Sequence, residues 1–194
     1  MSYEIHALPP EILEQARSSA DGPAHARSVA TGGEPLRCCL RDARAGEELL
    51  LFTYEPPLPP SPYREVGAVF AHAVPCAGPQ RAADAEPDRT ANAGPEQAAD
   101  AESDRTADSG PDRTADSEPD RTAGGGYPDA WRGRPQVLRA YDARGWIHPS
   151  TRVHDGSDPD GALAAVFADP DVVQVHSRNV AYGCFMFVAT RSSR

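Results

Sequence analysis

The sequence contains no lysine: all 19 basic residues are arginine. Asparagine occurs only as Asn92 and Asn179, and isoleucine only as Ile5, Ile12 and Ile147. These residue types share AT-rich codons, so a GC-rich genome accounts for their scarcity and the missing lysine carries no functional meaning. No run approaches the ~18 apolar residues needed to cross a bilayer. The opening MSYEIHALPPEILEQ has neither the positive start nor the apolar stretch of a secretory signal. The expectation is a cytoplasmic protein without membrane contact. Cys38, Cys39, Cys76 and Cys184 lack disulfide-scaffold spacing, and two of them are adjacent, so free thiols are expected. The chain also lacks a basic face: its net charge is −10, which argues against a nucleic-acid partner.

That charge is unevenly spread. Residues 78–126 hold 12 acids and 5 bases, a net of −7, whereas the remaining 145 residues carry a net of only −3. Residues 78–125 divide into six octads: GPQRAADA, EPDRTANA, GPEQAADA, ESDRTADS, GPDRTADS and EPDRTAGG. A period of eight is neither a heptad nor a solenoid unit. Without large apolar residues these acidic repeats cannot offset their ordering entropy, and a disordered insertion over 78–126 is expected. The flanks, 1–77 and 127–194, are each marginal as an independent core. They read as one discontinuous domain, because lengthening a loop from roughly 9 to roughly 49 residues costs only about 1.5 kcal/mol.

The flanks contain about eight strand-like segments and two helices. Strands are expected over residues 3–8, 36–40, 48–54, 66–74, 136–141, 146–153, 172–177 and 184–189. One helix opens at Pro9–Pro10, and a second at Asp158 as N-cap with Pro159 in the first turn. The fold class is therefore α+β, a single domain with a mainly antiparallel sheet.

Four fragments in order, LRCCLRDARAGEELLLFTY, SPYREVGAVFAHAVPC, VLRAYDARG and FADPDVVQVHSRNVAYGCF, resemble a bacterial family called domain of unknown function 1203. The resemblance covers most of both flanks and skips the octads. It implies one compact bacterial domain with no established activity. A family pattern Pro-Cys-Arg-His-Cys-Leu corresponds here to Pro35, Leu36, Arg37, Cys38, Cys39 and Leu40, so only Cys39 matches as a thiol.

Three constellations could carry chemistry. Arg139 and Tyr141 alternate along a strand and, with Tyr63, would suit a carboxylate or phosphate in a small-molecule or anion binding module. His72 with Cys76, and His176 with Cys184, supply two imidazoles and two thiols, enough for a tetrahedral zinc site. Alternatively Cys184 and His176, with Asn179 orienting the ring, resemble the parts of a thiol enzyme. A turn role for Asn179 competes with that one. If the last hairpin turned at Val180, His176 would lie opposite Cys184, and a slip of one residue would separate them. HDGSDPDG over 154–161 is not an EF-hand loop, because Pro159 falls where an oxygen ligand is needed. No Walker loop, GxGxxG, GxSxG or HExxH appears.

Overall fold

The structure is a computed structural model that describes residues 2–19, 22, 24–79 and 126–192. The octads from residue 80 onward, and with them the expected disorder, lie outside the described residues.

Among the described residues, ten strands form two five-stranded sheets. The first contains β1 (Tyr3–His6), β7 (Gln136–Tyr141), β8 (Arg152–His154), β9 (Gln174–Asn179) and β10 (Phe185–Arg191), in the order β1-β10-β9-β7-β8. The second contains β2 (His25–Val29), β3 (Pro35–Leu36), β4 (Arg41–Asp42), β5 (Glu48–Tyr54) and β6 (Gly67–His72), in the order β2-β5-β6-β3-β4. The pairings are antiparallel except β3 with β6, where Leu36 lies beside Phe70. The α+β class with a mainly antiparallel arrangement holds, but about eight strands in one sheet is corrected to ten strands in two.

Two elements explain the difference. β2 (HARSV) is a mostly exposed edge strand on β5 and lacks an apolar stripe that would announce it. LRCCL reads as an apolar strand, yet only Leu36 is extended; residues 37–40 form a turn and the chain re-enters the sheet at Arg41.

Each sheet has its own helix. α1 (Pro10–Ser18) starts on a proline, which costs nothing where the N–H has no helical partner, and buries Leu13 and Ala16. These pack with Leu49, Phe52, Val69 and Ala71 of the second sheet. α2 (Pro159–Val166) is capped by the Asp158 carboxylate, which accepts from Gly161 N at 2.9 Å. Its Leu163 and Val166 pack with Leu138, Val175 and Phe187 of the first sheet. β10 joins the two cores. A bulge between Phe185 and Phe187 sends Phe185 and Val188 to the α1 core, and Met186, Phe187 and Ala189 to the α2 core. With about 1.5–3 kcal/mol gained per large side chain buried, β9 and β10 are held from both faces. No helix among the described residues is long and apolar enough to cross a membrane.

Candidate metal centre

The closing hairpin does not bring His176 to Cys184. His176 pairs with Val188, and Phe185 pairs with Arg178. The turn is longer than one centred on Val180. Asn179 N donates to Cys184 O at 2.9 Å, Gly183 N donates back to Asn179 O at 2.9 Å, and Gly183 sits at φ 65. The Asn179 side chain accepts from Tyr182 N at 3.0 Å, so it is engaged within the turn and not with the imidazole. Cys184 is exposed at the turn, whereas His176 is fully buried.

Around His176 the fold has placed a carboxylate of its own. Glu65, from the proline-rich loop after β5, accepts from His176 Nδ1 at 2.8 Å and pairs with Arg139 at 3.4 Å. Arg178 also forms an ion pair with Glu65. Gln174 donates to His176 Nε2, which fixes the ring proton on Nδ1. Burial, helped by the Arg139 guanidinium, pushes the His176 pKa down to about 4. Tyr141 is fully buried with its ring 4.7 Å from His176. Tyr63 is elsewhere, edge-on to Trp146 at 5.6 Å. Arg139 thus meets the carboxylate that sequence alternation suggested for it, but that carboxylate belongs to the chain. Two shallow surface depressions, one around Asp142, His148 and Asp171 and one around Glu55, Pro57 and Arg64, include neither Arg139 nor Tyr141.

The residues that do converge are Cys38, Cys39, His72 and Cys76, whose ligand atoms all lie within 4.8 Å of one another. His72 and Cys76 were expected in a metal set with His176 and Cys184; the structure joins them to the adjacent pair Cys38–Cys39 instead. Three features of the fold build the cluster. Parallel pairing of Leu36 with Phe70 sets the 37–40 turn beside the end of β6. Leu40, the sole described non-glycine residue at positive φ (55°), closes that turn, with its N–H on Leu36 O at 2.9 Å. Left-handed backbone at a residue with a Cβ costs about 1–2 kcal/mol, and such strain gathers where a loop clamps something. Arg37 then fastens the turn: its buried guanidinium donates to Phe185 O at 2.9 and 2.7 Å and to Pro35 O.

Within the cluster Cys38 Sγ lies 3.4 Å from His72 Nδ1 and 3.9 Å from Cys39 Sγ. Cys39 Sγ lies 3.9 Å from His72 Nδ1. His72 N donates to Cys38 Sγ at 3.3 Å. Cys38, Cys39 and His72 are buried and Cys76 is exposed, so the cluster has a dry interior and one face open to solvent. The thiol hydrogen bond from Cys38, with Arg41 nearby, holds Cys39 below the ordinary thiol pKa, and the same bond together with burial raises Cys38. Burial and then Arg41 lower His72, which keeps its imidazole neutral. On its far side His72 Nε2 is 3.1 Å from Arg41 Nη2 and 3.5 Å from Glu47 Oε2. A second group, His148 with Asp169 and Asp171, is more exposed and offers oxygen in place of sulfur.

The sequence family described as protein of unknown function (DUF1203) matches residues 33–98 and 113–191, a span that contains all four clustered residues and breaks within the octads. No curated protein and no solved structure matches the chain. With most of its length matched, the chain belongs to the DUF1203 family.

Proposed function

We propose that this domain is a zinc-binding protein in which Cys38, Cys39, His72 and Cys76 hold a single ion. The carrying observation is metric. With Zn–S near 2.3 Å and Zn–N near 2.0–2.1 Å, the edges of a tetrahedral site are about 3.8 Å between sulfurs and about 3.6 Å between sulfur and nitrogen. The measured separations are 3.9 Å for Cys38–Cys39 and 3.4 and 3.9 Å for the two sulfur–nitrogen edges. Three thiols and an imidazole are also a soft donor set of the kind that selects zinc over calcium or magnesium.

Cys38 and Cys76 are held above the ordinary thiol pKa, the first by its hydrogen bond to Cys39 and by burial and the second by burial. The ion itself therefore supplies most of the pull for their deprotonation, with help from two contacts. Arg41 sits beside Cys39, and a backbone N–H already points at Cys38 Sγ. A neutral His72 carries one ring proton rather than two, so binding an ion through Nδ1 needs only a change of tautomer. Four protein ligands fill a tetrahedron and leave no position for water or substrate, which makes the site structural rather than catalytic. The ion would tie the 37–40 turn to the end of β6 and to Cys76.

Cobalt(II) tests this directly, because thiolate-to-cobalt charge transfer and tetrahedral d–d bands report both sulfur ligation and geometry. One equivalent should develop both signals and protect three of the four thiols from a disulfide reagent, with Cys184 still reacting. Absence of charge transfer, with one thiol reacting much faster than the rest, would instead favour a thiol-enzyme reading. That reading would centre on Cys39, whose thiolate is favoured by Cys38.

A further inference from the structure

The four ligands do not account for everything the fold has gathered here. Glu47 lies at the end of the turn before β5, with Oε2 3.5 Å from His72 Nε2. It is held by three hydrogen bonds from two residues. Arg41 grips both oxygens, Nη1 to Oε2 at 3.0 Å and Nη2 to Oε1 at 2.6 Å, and Arg44 N donates to Oε2 at 2.8 Å. Those bonds fix the position of the carboxylate beside the ring.

We infer that Glu47 is the outer carboxylate of the metal site, a positioning residue that holds His72 with Nδ1 aimed at the ion. This rests on the zinc reading. An imidazole bound through Nδ1 carries its proton on Nε2, and that proton needs an acceptor. Arg41 Nη2, nearer to Nε2 than Glu47 is, is a donor and cannot serve. Glu47 Oε2 is the neighbouring acceptor and is already immobilised. Without the metal, Arg41 donates to Nε2 and the ring proton faces the sulfurs. With it, Nε2 carries the proton and the Arg41–Nε2 hydrogen bond is given up. Nε2 then donates to Glu47, while Arg41 keeps its bonds to that carboxylate. Arg41 contributes a second effect: its guanidinium cancels the charge of Glu47, so the added carboxylate does not deepen the net charge of −1 left by three thiolates and one zinc.

The test compares zinc affinity of wild type and Glu47→Gln by chelator competition, with cobalt spectra of both. Outer carboxylates of this kind change metal affinity by 10–100-fold. Glu47→Gln should bind zinc at least tenfold more weakly while its cobalt bands keep the wild-type energies, because the ligands are the same. In zinc-loaded wild type the His72 ring should carry its proton on Nε2, visible as a slowly exchanging NMR resonance that shifts in the variant. Equal affinities in wild type and Glu47→Gln would overturn the role of Glu47 and leave the zinc site standing. No zinc bound by wild type would overturn the parent reading. Glu47→Asp, which keeps the charge, covers the case in which Glu47→Gln fails to fold. Its affinity should fall by less than tenfold, and a loss beyond a hundredfold would contradict the inference.

Discussion

Cys38 and His72 stand 34 positions apart in the chain, yet Sγ and Nδ1 approach to 3.4 Å. The contact follows from one pairing, Leu36 beside Phe70, which is the parallel pairing of the second sheet. A cross-link at that point would secure two-residue strands that have little hydrogen bonding of their own. Zinc at a thousandfold excess over its dissociation constant should add about 4 kcal/mol to stability, a melting-temperature rise of roughly 10 °C for a domain of this size. Calorimetry with and without chelator measures it. Cys38→Ser should abolish the rise and Cys184→Ser should retain it.

Acid should weaken the fold through His176. Its folded pKa is about 4 and that of an unfolded histidine is about 6.5. Between those values the unfolded chain takes up a proton that the folded chain refuses, so stability falls as pH drops from about 6.5 to about 4. The loss is on the order of 3 kcal/mol and levels off below the lower value. The charged groups around the ring are Glu65 from the loop and Arg139 and Arg178 from β7 and β9. Urea titrations at several pH values should show a shallower slope over this range for His176→Asn, whose amide can still donate to Glu65. The same slope in both proteins would mean that His176 is not the group responsible.

Asn179 should behave as a turn residue. Its carboxamide accepts from Tyr182 N, and loss of one such bond costs about 1 kcal/mol. Asn179→Ala should lower stability by that amount and leave the reaction rate of each thiol unchanged. A slower Cys184 in the variant would restore the Cys–His–Asn interpretation.

The octads should be dispensable. The chain enters them just after Cys76 in the thiol cluster, and on its return Trp131 Nε1 donates to Asp42 Oδ1 at 3.0 Å, joined there by Arg134. Both anchors reach the β3–β4 region. Replacing residues 80–125 with a short glycine–serine linker should change stability by no more than about 1.5 kcal/mol, the scale of loop-closure entropy. A large fall in melting temperature would contradict the expectation of one discontinuous domain.

Local signals in the sequence were legible where they were strong. ELLLFTY and QVLRAY coincide with β5 and β7, and Asp158–Pro159 opens α2 as its cap chemistry dictates. The last hairpin was legible as a pair but not in register. β9 and β10 are buried on both faces, so several registers hide comparable apolar surface, and a bulge at Phe185–Phe187 adds a step that alternation cannot show. The thiol–imidazole cluster was half visible. His72 and Cys76 share one stretch of chain, but the other two ligands come from a turn disguised as a strand, joined through a pairing across 34 residues. Glu65 escaped notice for the same reason: nothing local to a proline-rich loop says that its carboxylate will reach β7 and β9.

The most direct measurement is the metal content of the full chain, purified without an affinity tag or chelator and analysed by elemental mass spectrometry. The account predicts one zinc per chain, lost together with the protection of Cys38 and Cys76 in Cys39→Ser. Protein that carries no zinc, fails to take it up when supplied, and shows the same thiol reactivity as Cys39→Ser outside residue 39 would contradict it.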